Sequence, residues 1–329
     1  MENPAVTARD LVKIYDPTPY WMRLLIRSSS KIPVVALDHC TFSVDRGQVC
    51  AVIGPNGAGK STLFRILTGL TTSSNGQVTV LDMDPALEGH RLRRHIGFMP
   101  AEDRTLFLRH SSLDNLRFHG RLQGIEESRL KKRIETVLKM VDLWNVRERD
   151  GFALSSGMRA RLMLARAILH EPKVLILDEP TGAIDPLGAQ AFVELIKAIT
   201  EEQKTATLLS SHRLEEIDTL RDNILLLDYG RVVFRGDLDR VRTVVEQKIY
   251  EVLCINPLAA SRVAGTLRQR LGPLARVVQE GCLVTAPLLD GSPTDLAWLG
   301  DFGDQVETVS FRKLSLHETI AALLEGSGR

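Results

Sequence analysis

Cysteine is scarce and scattered in this sequence, and no closely spaced pair of cysteines occurs. The four cysteines are Cys40, Cys50, Cys254 and Cys282, and none forms a C-x-x-C pair. Disulfide scaffolds and structural zinc sites are recognised by such spacings. The sequence therefore predicts neither a disulfide framework nor a zinc site, and a reducing cytosol suits it better.

Long apolar runs and an excess of charge are also missing. A transmembrane helix needs roughly 18 or more apolar residues in a row, whereas Val174–Leu177 and Ile224–Leu227 are typical apolar runs here. The opening Met1-Glu2-Asn3-Pro4 has no signal-peptide pattern. The formal net charge of +1 gives no support to a broad nucleic-acid-binding face. We expect a protein that does not bind nucleic acid and that reaches any membrane through a partner.

The length and composition of the sequence are those of an ordinary globular chain of about two domains. Of its 329 residues, 44% are apolar and 25% are charged, and no internal repeat is evident. The sequence pattern changes near Arg240. This change predicts a first domain over residues 1–240 and an accessory α/β domain over 241–329. In the first domain we expect strands at Leu11–Tyr15, Thr41–Val44, Val49–Ile53, Val174–Leu177, Thr205–Leu209, Ile224–Leu227 and Val232–Phe234, and helices at Met158–His170 and Gln190–Thr200, with another that includes Leu130, Ile134, Leu138 and Val141.

The second domain reads as βαββαβ followed by a helix, which suits a small ferredoxin-like sandwich. Its expected strands are Ile249–Ile255, Ala275–Gln279, Leu283–Ala286 and Val306–Phe311, and its expected helices are Leu258–Leu271, Thr294–Gly300 and Leu316–Leu324. All candidate chemical motifs lie before it, so a role in regulation or dimer contact is expected.

A phosphate-binding loop follows the apolar strand Val49–Ile53. The sequence Gly54-Pro55-Asn56-Gly57-Ala58-Gly59-Lys60-Ser61 matches G-x-x-x-x-G-K-[ST]. Glycines let successive N–H groups face phosphates, Lys60 supplies a charge to the β/γ-phosphates, and the Ser61 hydroxyl can bind Mg²⁺. The helix expected at Ser61–Leu67 points its positive end at the same anion. This context favours nucleotide binding over an ordinary glycine-rich turn.

Two carboxylates end the apolar strand Val174–Leu177. Asp178 stands where a strand-end aspartate would hold Mg²⁺, directly or through water. Glu179 would then act as the general base on the attacking water. An apolar strand ending in Asp-Glu is common, so the motif gains its meaning from the phosphate loop that precedes it.

The short segment Leu154-Ser155-Ser156-Gly157-Met158-Arg159 lies between these motifs. The order of phosphate loop, Ser/Gly signature, Asp-Glu strand and a later histidine, His212, resembles the ATP-binding cassette of ABC transporters over about residues 8–240. The family signature is usually L-S-G-G-Q, so Ser156 and Met158 depart from it. The resemblance implies an α/β P-loop NTPase fold, with a RecA-like core, an antiparallel β subdomain and a helical subdomain that carries the signature.

The resemblance also implies roles for individual residues. Tyr15 resembles the aromatic that stacks on adenine, with a core or interface tyrosine as the alternative. Asp185 resembles a loop aspartate that communicates across a dimer, although it also reads as a helix N-cap. His212 resembles the histidine that senses the γ-phosphate and orients water. The implied nucleotide-binding set is Tyr15, Gly54, Pro55, Asn56, Gly57, Ala58, Gly59, Lys60, Ser61, Thr62, Ser155, Ser156, Gly157, Met158 and Asp185, with ATP and Mg²⁺ as cofactors.

Two features depart from the common cassette pattern. Where the family has a glutamine after the strand ending at Met99-Pro100, this chain has Ala101, which can neither bind metal nor position water. Glu102 is a candidate substitute, with a solvated loop carboxylate as the alternative. An insertion near residues 17–31, which includes Trp21, is expected to be a short amphipathic helix that meets a permease or headgroups, or that packs on its own domain.

One phosphate loop and one signature cannot complete a cassette site in this family, which combines the loop of one subunit with the signature of another. The resemblance therefore implies a homodimer, or a pair with a second cassette, bound to an integral membrane permease at the inner face of the cell membrane. We expect the ATPase subunit of an exporter. The alternatives are an ABC ATPase that remodels or regulates without transport, and a nucleotide-binding module with little hydrolysis.

Overall fold

The computed structural model describes residues 3–16, 33–101, 105–211, 223–237, 240, 248–271, 277–287 and 297–313. The chain divides into two compact units, Met1–Leu238 and Asp239–Arg329. The insertion near 17–31, Glu102, His212 and the helix expected at Leu316–Leu324 lie outside the described residues. Strands and helices are numbered below in chain order.

A six-stranded sheet forms the centre of the first unit. Its order is β5-β6-β7-β3-β8-β9, and every neighbouring pair is parallel except β8 and β9. Its strands are β3 (Val49–Ile53), β5 (Ile96–Met99), β6 (Val174–Leu177), β7 (Ala206–Ser211), β8 (Ile224–Asp228) and β9 (Arg231–Gly236). β3, β6, β7 and β8 are buried throughout, as expected of parallel strands covered on both faces. The carboxyl ends of β3, β5, β6 and β7 therefore meet at one edge.

A three-stranded antiparallel sheet packs beside this core, in the order β2-β1-β4. Its strands are β1 (Val6–Tyr15), β2 (Val34–Val44) and β4 (Asn75–Val80). β1 and β2 begin well before the starts that the sequence predicted, Leu11 and Thr41. The reason is irregular pairing: Asp10 and His39 have positive φ angles of 54° and 53°, and the β1–β2 register shifts between Ala8 and Leu11. Such bulges interrupt the two-residue alternation on which the prediction depended.

The described part of the first unit also contains six α-helices. They are α1 (Lys60–Leu67), α2 (Pro85–Leu92), α3 (Ser112–Leu122), α4 (Glu127–Met140), α5 (Ser156–Ile168) and α6 (Pro186–Gln203). The apolar face predicted from Leu130, Ile134 and Leu138 is confirmed, because all three are fully buried on α4. α3, α4 and α5 contact one another and form the helical subdomain inserted between β5 and β6.

The second unit is an antiparallel sheet covered by a helix. The strands are β10 (Lys248–Cys254), β11 (Val278–Glu280), β12 (Leu283–Pro287) and β13 (Val306–Lys313), and the helix is α7 (Pro257–Leu271). The sheet order β11-β12-β10-β13 is that of a ferredoxin-like sandwich. Its core includes Val252, Val263, Val284 and Trp298. Where a second α-helix was expected at Thr294–Gly300, the described residues form a 3₁₀ helix, Ala297–Gln305, interrupted by a non-helical Gly303. The expected helix is therefore present at residues 297–300 as a 3₁₀ helix, and Gly303, with a φ of 43°, interrupts it beyond the expected range.

Candidate functional site

Two glycines of the phosphate loop are required by close backbone contacts. A Cβ on Gly54 would lie 2.2 Å from the carbonyl oxygen of Leu227. A Cβ on Gly59, whose φ is 104°, would lie 2.4 Å from the carbonyl oxygen of Ala36. Any side chain at either position would push the loop off the sheet. The loop is thus fixed against both sheets directly after β3.

The Lys60 side chain folds back onto the phosphate loop and bonds to its backbone. Its side chain is only 5% exposed, and its Nζ donates hydrogen bonds to the carbonyl oxygens of Gly54 at 2.7 Å and Pro55 at 3.2 Å. Burial lowers the pKa of Lys60, and the charges of Glu179 and Asp178 act in the opposite direction. Because burial outweighs the two carboxylates, an anionic ligand bound in the loop would further stabilise the ammonium group.

The start of α1 fits a phosphate group. The helix begins at Lys60, and among the described residues no side chain caps its first turn, because the N-cap is Gly59. The N–H groups of the first turn of a helix have no partner within the helix, and its positive end favours anions. Loop, lysine and helix start therefore fit the phosphates of a nucleotide.

The two acidic residues predicted at the end of β6 lie beside this loop, and a serine joins the side chain of the first to the backbone of the second. Asp178 is 7% exposed, and its Oδ1 accepts a hydrogen bond from Ser210 Oγ at 2.7 Å. The same Oγ accepts a hydrogen bond from the Glu179 N–H at 2.8 Å. Glu179 has a φ of 48°, so the extended strand stops at this residue. Ser210 thus fixes the position of both residues.

Sequence reasoning did not assign Ser210 a role. The signal available was a pair of serines, Ser210 and Ser211, at the end of an otherwise apolar strand. Their burial in β7 could not be predicted without the pairing of β7 with β6, in which Leu177 lies opposite Leu209. That register places Ser210 beside Asp178.

The donor atoms available at this edge suit Mg²⁺ together with a nucleotide. Asp178 supplies a buried carboxylate, and Ser61 is the second residue of α1 with an exposed side chain. In the described part of the chain, no group of three or more His, Cys, Asp or Glu side chains could hold a metal ion by itself. Mg²⁺ prefers a few protein oxygens combined with phosphate oxygens and water. The residues present fit that pattern.

The signature segment forms the start of α5. Ser155 is the N-cap, and its side chain accepts a hydrogen bond from the Met158 N–H at 3.2 Å. Leu154 is buried and its carbonyl accepts a hydrogen bond from Arg159 at 2.9 Å, whereas Ser155 and Ser156 are exposed. A buried anchor followed by an exposed helix start presents this segment at the surface of the unit.

Asp185 is a helix N-cap, as one of its two interpretations predicted. Its Oδ1 accepts a hydrogen bond from the Gly188 N–H at 2.9 Å, and Pro186 takes the first position of α6. The loop that carries it lies beside the signature, since a Cβ on Gly157 would be 3.9 Å from Ile184 Cγ2. Capping leaves the second interpretation, a role at a dimer interface, as a prediction.

The remaining predicted residues lie at the margins of the site. Tyr15 ends β1 with its side chain 37% exposed, and the Nζ of Lys13 lies 5.0 Å from the centre of its ring. It is therefore not a core tyrosine, and stacking on adenine stays a prediction. Ala101 follows β5 and is exposed. His212 comes directly after β7, outside the described residues, so its role stays a prediction.

A phosphate loop on a parallel sheet, with a buried lysine and strand-end carboxylates, defines a P-loop nucleoside triphosphatase. The ABC transporter family model matches residues 37–182. ABC transporter ATP-binding protein NatA of Bacillus subtilis is 33% identical over 206 residues, which cover 63% of this chain and 83% of that protein. The chain belongs to the ABC transporter family, and it is an ATP-binding, ATP-hydrolysing subunit of that class.

Other relatives differ in the direction of transport that their names state. Nod factor export ATP-binding protein I of Ralstonia nicotianae is 32% identical over 243 residues, covering 74% of this chain and 73% of that protein. Doxorubicin resistance ATP-binding protein DrrA of Mycobacterium tuberculosis is 36% identical over 219 residues, but the match covers 65% of its length. Methionine import ATP-binding protein MetN 1 of Bacillus cereus is 30% identical over 255 residues, covering 76% and 73%.

A solved structure confirms the fold of the cassette. The cbiO1 protein of Clostridium perfringens, described as part of the cbiONQ transporter complex, superposes with a TM-score of 0.63 at 25% identity. The superposition covers 82% of this chain and 96% of cbiO1. In the described part of the chain, no helix is both long and apolar enough to cross a bilayer.

Proposed function

We propose that this chain is the ATPase subunit of an exporter and drives cargo through a separate transmembrane permease. The observation that carries the proposal is the cluster of Lys60, Asp178 and Glu179, with its linking serine, at the carboxyl edge of the parallel sheet. It holds the parts needed to bind a nucleoside triphosphate and activate water. In this proposal the chain sits at the inner face of the cell membrane through its permease.

Each residue at this edge has a defined chemical task in the proposal. Lys60 and the N–H groups of the loop and α1 bind the β- and γ-phosphates, and Ser61 with Asp178 holds Mg²⁺, which neutralises charge on those phosphates. Glu179 accepts a proton from the attacking water, and His212 orients that water. Tyr15 stacks on the adenine.

Two copies, or this chain and a second cassette, complete the site. The exposed Ser155 and Ser156 stand at a helix start, whose positive end favours the γ-phosphate held by the partner's loop. Asp185, beside the signature, would lie at the same junction. The accessory unit from residue 239 onward holds none of the residues assigned to nucleotide chemistry, which supports a regulatory or dimer-contact role.

Export is favoured by sequence identity to the named relatives rather than by coverage. DrrA is 36% identical and the Nod factor export protein 32% identical, against 30% for MetN 1, which is covered to the same 73% of its length as the Nod factor export protein. The competing function is an ABC ATPase that remodels another protein without transport.

Capture of the permease separates the two functions. The full chain carrying Glu179→Gln, expected to retain ATP, would be affinity-purified from detergent-solubilised native membranes with ATP and Mg²⁺. Lys60→Ala, which removes the phosphate contact, is the matched control. An integral membrane protein enriched with Glu179→Gln, and able to raise the ATPase rate of the wild-type chain, supports the transporter function. Active ATPase with only water-soluble partners would support remodelling instead.

Inside-out vesicles containing the captured pair then test direction. An exporter accumulates its cargo in them when ATP is added, whereas an importer releases preloaded cargo. Release alone would contradict export while leaving the ATPase assignment intact.

A further inference from the structure

Two of the scattered cysteines meet in the second unit. In the antiparallel pairing of β10 with β12, Val252 lies opposite Val284 and Leu253 lies opposite Leu283. Continuing this register by one residue places Cys254 opposite Cys282, and the Cys254 N–H donates to the Cys282 carbonyl at 2.9 Å. The cysteines are therefore cross-strand neighbours, although 27 residues separate them in the sequence.

Both side chains lie on the face of the sheet that α7 covers. Alternate residues of a strand share a face, and Val252, Cys254, Val284 and Ala286 belong to one buried cluster. Cys282 precedes Val284 by two positions and is partly exposed, whereas Cys254 is only 1% exposed. Burial raises the pKa of the Cys254 thiol, and the neighbouring Cys282 raises it further. The register and the backbone hydrogen bond between them thus place the two cysteines on paired positions of one sheet face.

The backbone spacing suits a disulfide. Hydrogen-bonded antiparallel partners have Cα atoms about 5.5 Å apart, and disulfides span Cα separations of about 4.4–6.8 Å. The Cβ atoms of such partners are about 4.5–5.5 Å apart, slightly more than the 3.5–4.5 Å of disulfides. Closing the bond requires a small inward shift of the strands, and strained disulfides are the easily reduced ones.

We propose that Cys254 and Cys282 form a reversible intrachain disulfide, which makes the second unit a thiol-oxidation site for low-molecular-weight disulfides such as oxidised glutathione. This inference does not depend on the proposed transport function. It is compatible with a reducing cytosol, where protein disulfides are usually transient and redox-sensing.

The exchange proceeds in two steps that balance. The Cys282 thiolate, the more accessible of the two, attacks one sulfur of oxidised glutathione, which forms a mixed disulfide and releases one glutathione thiolate. Cys254 then loses its proton and attacks the Cys282 sulfur, which releases the second glutathione. Two protein thiols are oxidised by two electrons, one glutathione disulfide is reduced to two thiols, and the two protons pass to the leaving thiolates.

The other cysteines provide internal controls. Cys40 and Cys50 are buried in the first unit, and burial raises their thiol pKa values to about 11 and about 12. The Cys40 thiol donates a hydrogen bond to the Gly230 carbonyl at 2.8 Å. Thiols that stay protonated and enclosed react slowly with disulfides, so oxidised glutathione should leave both of them reduced.

The test is peptide mapping of the folded full-length chain. The protein is incubated with oxidised glutathione at two protein concentrations, then denatured, alkylated with N-ethylmaleimide and digested with trypsin. Cleavage after lysine and arginine places Cys254 in peptide 249–262 and Cys282 in peptide 277–312. We expect these two peptides to be disulfide-linked at both concentrations, with the link lost after dithiothreitol treatment.

Single-thiol variants test the order of attack. Cys254→Ser should retain glutathione on Cys282, because no resolving thiol is left, whereas Cys282→Ser should leave Cys254 free of glutathione. Alkylation of both cysteines in the wild-type chain, separate glutathione on each, or a link that grows with protein concentration would each overturn the proposal. The wild-type experiment decides the matter even where a variant fails to fold.

Discussion

Ser210→Ala tests whether one buried hydroxyl positions both Asp178 and Glu179. The substitution removes an oxygen that donates to Asp178 Oδ1 at 2.7 Å and accepts from the Glu179 N–H at 2.8 Å. Ser210 is fully buried in β7, so water cannot readily replace the hydroxyl. Its loss removes this acceptor from the partly buried Glu179 N–H and this donor from the buried Asp178 carboxylate.

The expected cost follows from those two atoms. An unsatisfied buried polar group costs about 1–3 kcal/mol, so we expect the free energy of unfolding to fall by about 1–3 kcal/mol. Groups that orient metal ligands typically change metal affinity or activity by about 10–100-fold when they are removed. The Mg²⁺ concentration needed for half-maximal ATPase activity should therefore rise by a factor in that range.

Ser112→Ala is the matched control. Ser112 is also fully buried, but within the described residues its Oγ has no hydrogen-bond partner. Removing it deletes the same atom without breaking a hydrogen bond, so stability should be unchanged or slightly higher. Urea unfolding and Mg²⁺ titrations of ATPase activity would be measured for both variants. If Ser210→Ala behaves like Ser112→Ala in both assays, Ser210 does not position the carboxylates.

Four further predictions concern single residues. Lys60→Ala should lose ATP binding measured by calorimetry, because it removes the buried ammonium of the phosphate loop; unchanged affinity would contradict its role. Glu179→Gln should keep ATP affinity while turnover falls about 10²–10⁴-fold, and with ATP and Mg²⁺ it should sediment as a dimer; near-normal turnover would exclude it as the base. The loss of stability caused by Cys50→Ala should become smaller as pH rises above about 9, by about 1.4 kcal/mol per pH unit. The reason is that the unfolded chain ionises this thiol there, whereas burial holds its folded pKa at about 12. A loss of stability that stays constant with pH, measured by urea unfolding under reducing conditions, would contradict that burial. If Glu102 replaces the family glutamine, Glu102→Ala should lower permease-stimulated turnover. If it does not, Ala101→Gln should raise that turnover.

The parts of the site that sequence predicted are those encoded by neighbouring residues. A glycine-rich loop needs only its own backbone freedom and the strand before it, so the segment Gly54–Ser61 could be recognised from its pattern. The same holds for the carboxylates that directly follow β6. Helix α4 was predicted because its apolar spacing repeats within the helix itself.

The parts that sequence missed depend on pairing between distant strands. Ser210 gains its role only because β7 lies beside β6. The early starts of β1 and β2 were hidden by bulges at Asp10 and His39, where the alternation slips by one residue. In both cases the deciding quantity is a register, which a window of neighbouring residues does not contain.

The cysteines are a further case in which sequence spacing does not reveal the pairing of distant strands. Their spacing argues against a disulfide framework, since that rule depends on short separations along the chain. The pairing of β10 with β12 nevertheless places Cys254 and Cys282 on one face and within the Cα span of a disulfide. Sequence spacing therefore bears on permanent disulfide scaffolds, whereas a reversible bond requires only one pair of facing thiols. Ser210 beside Asp178 and Cys254 opposite Cys282 are both brought together by strand register, across separations of 32 and 28 positions along the chain.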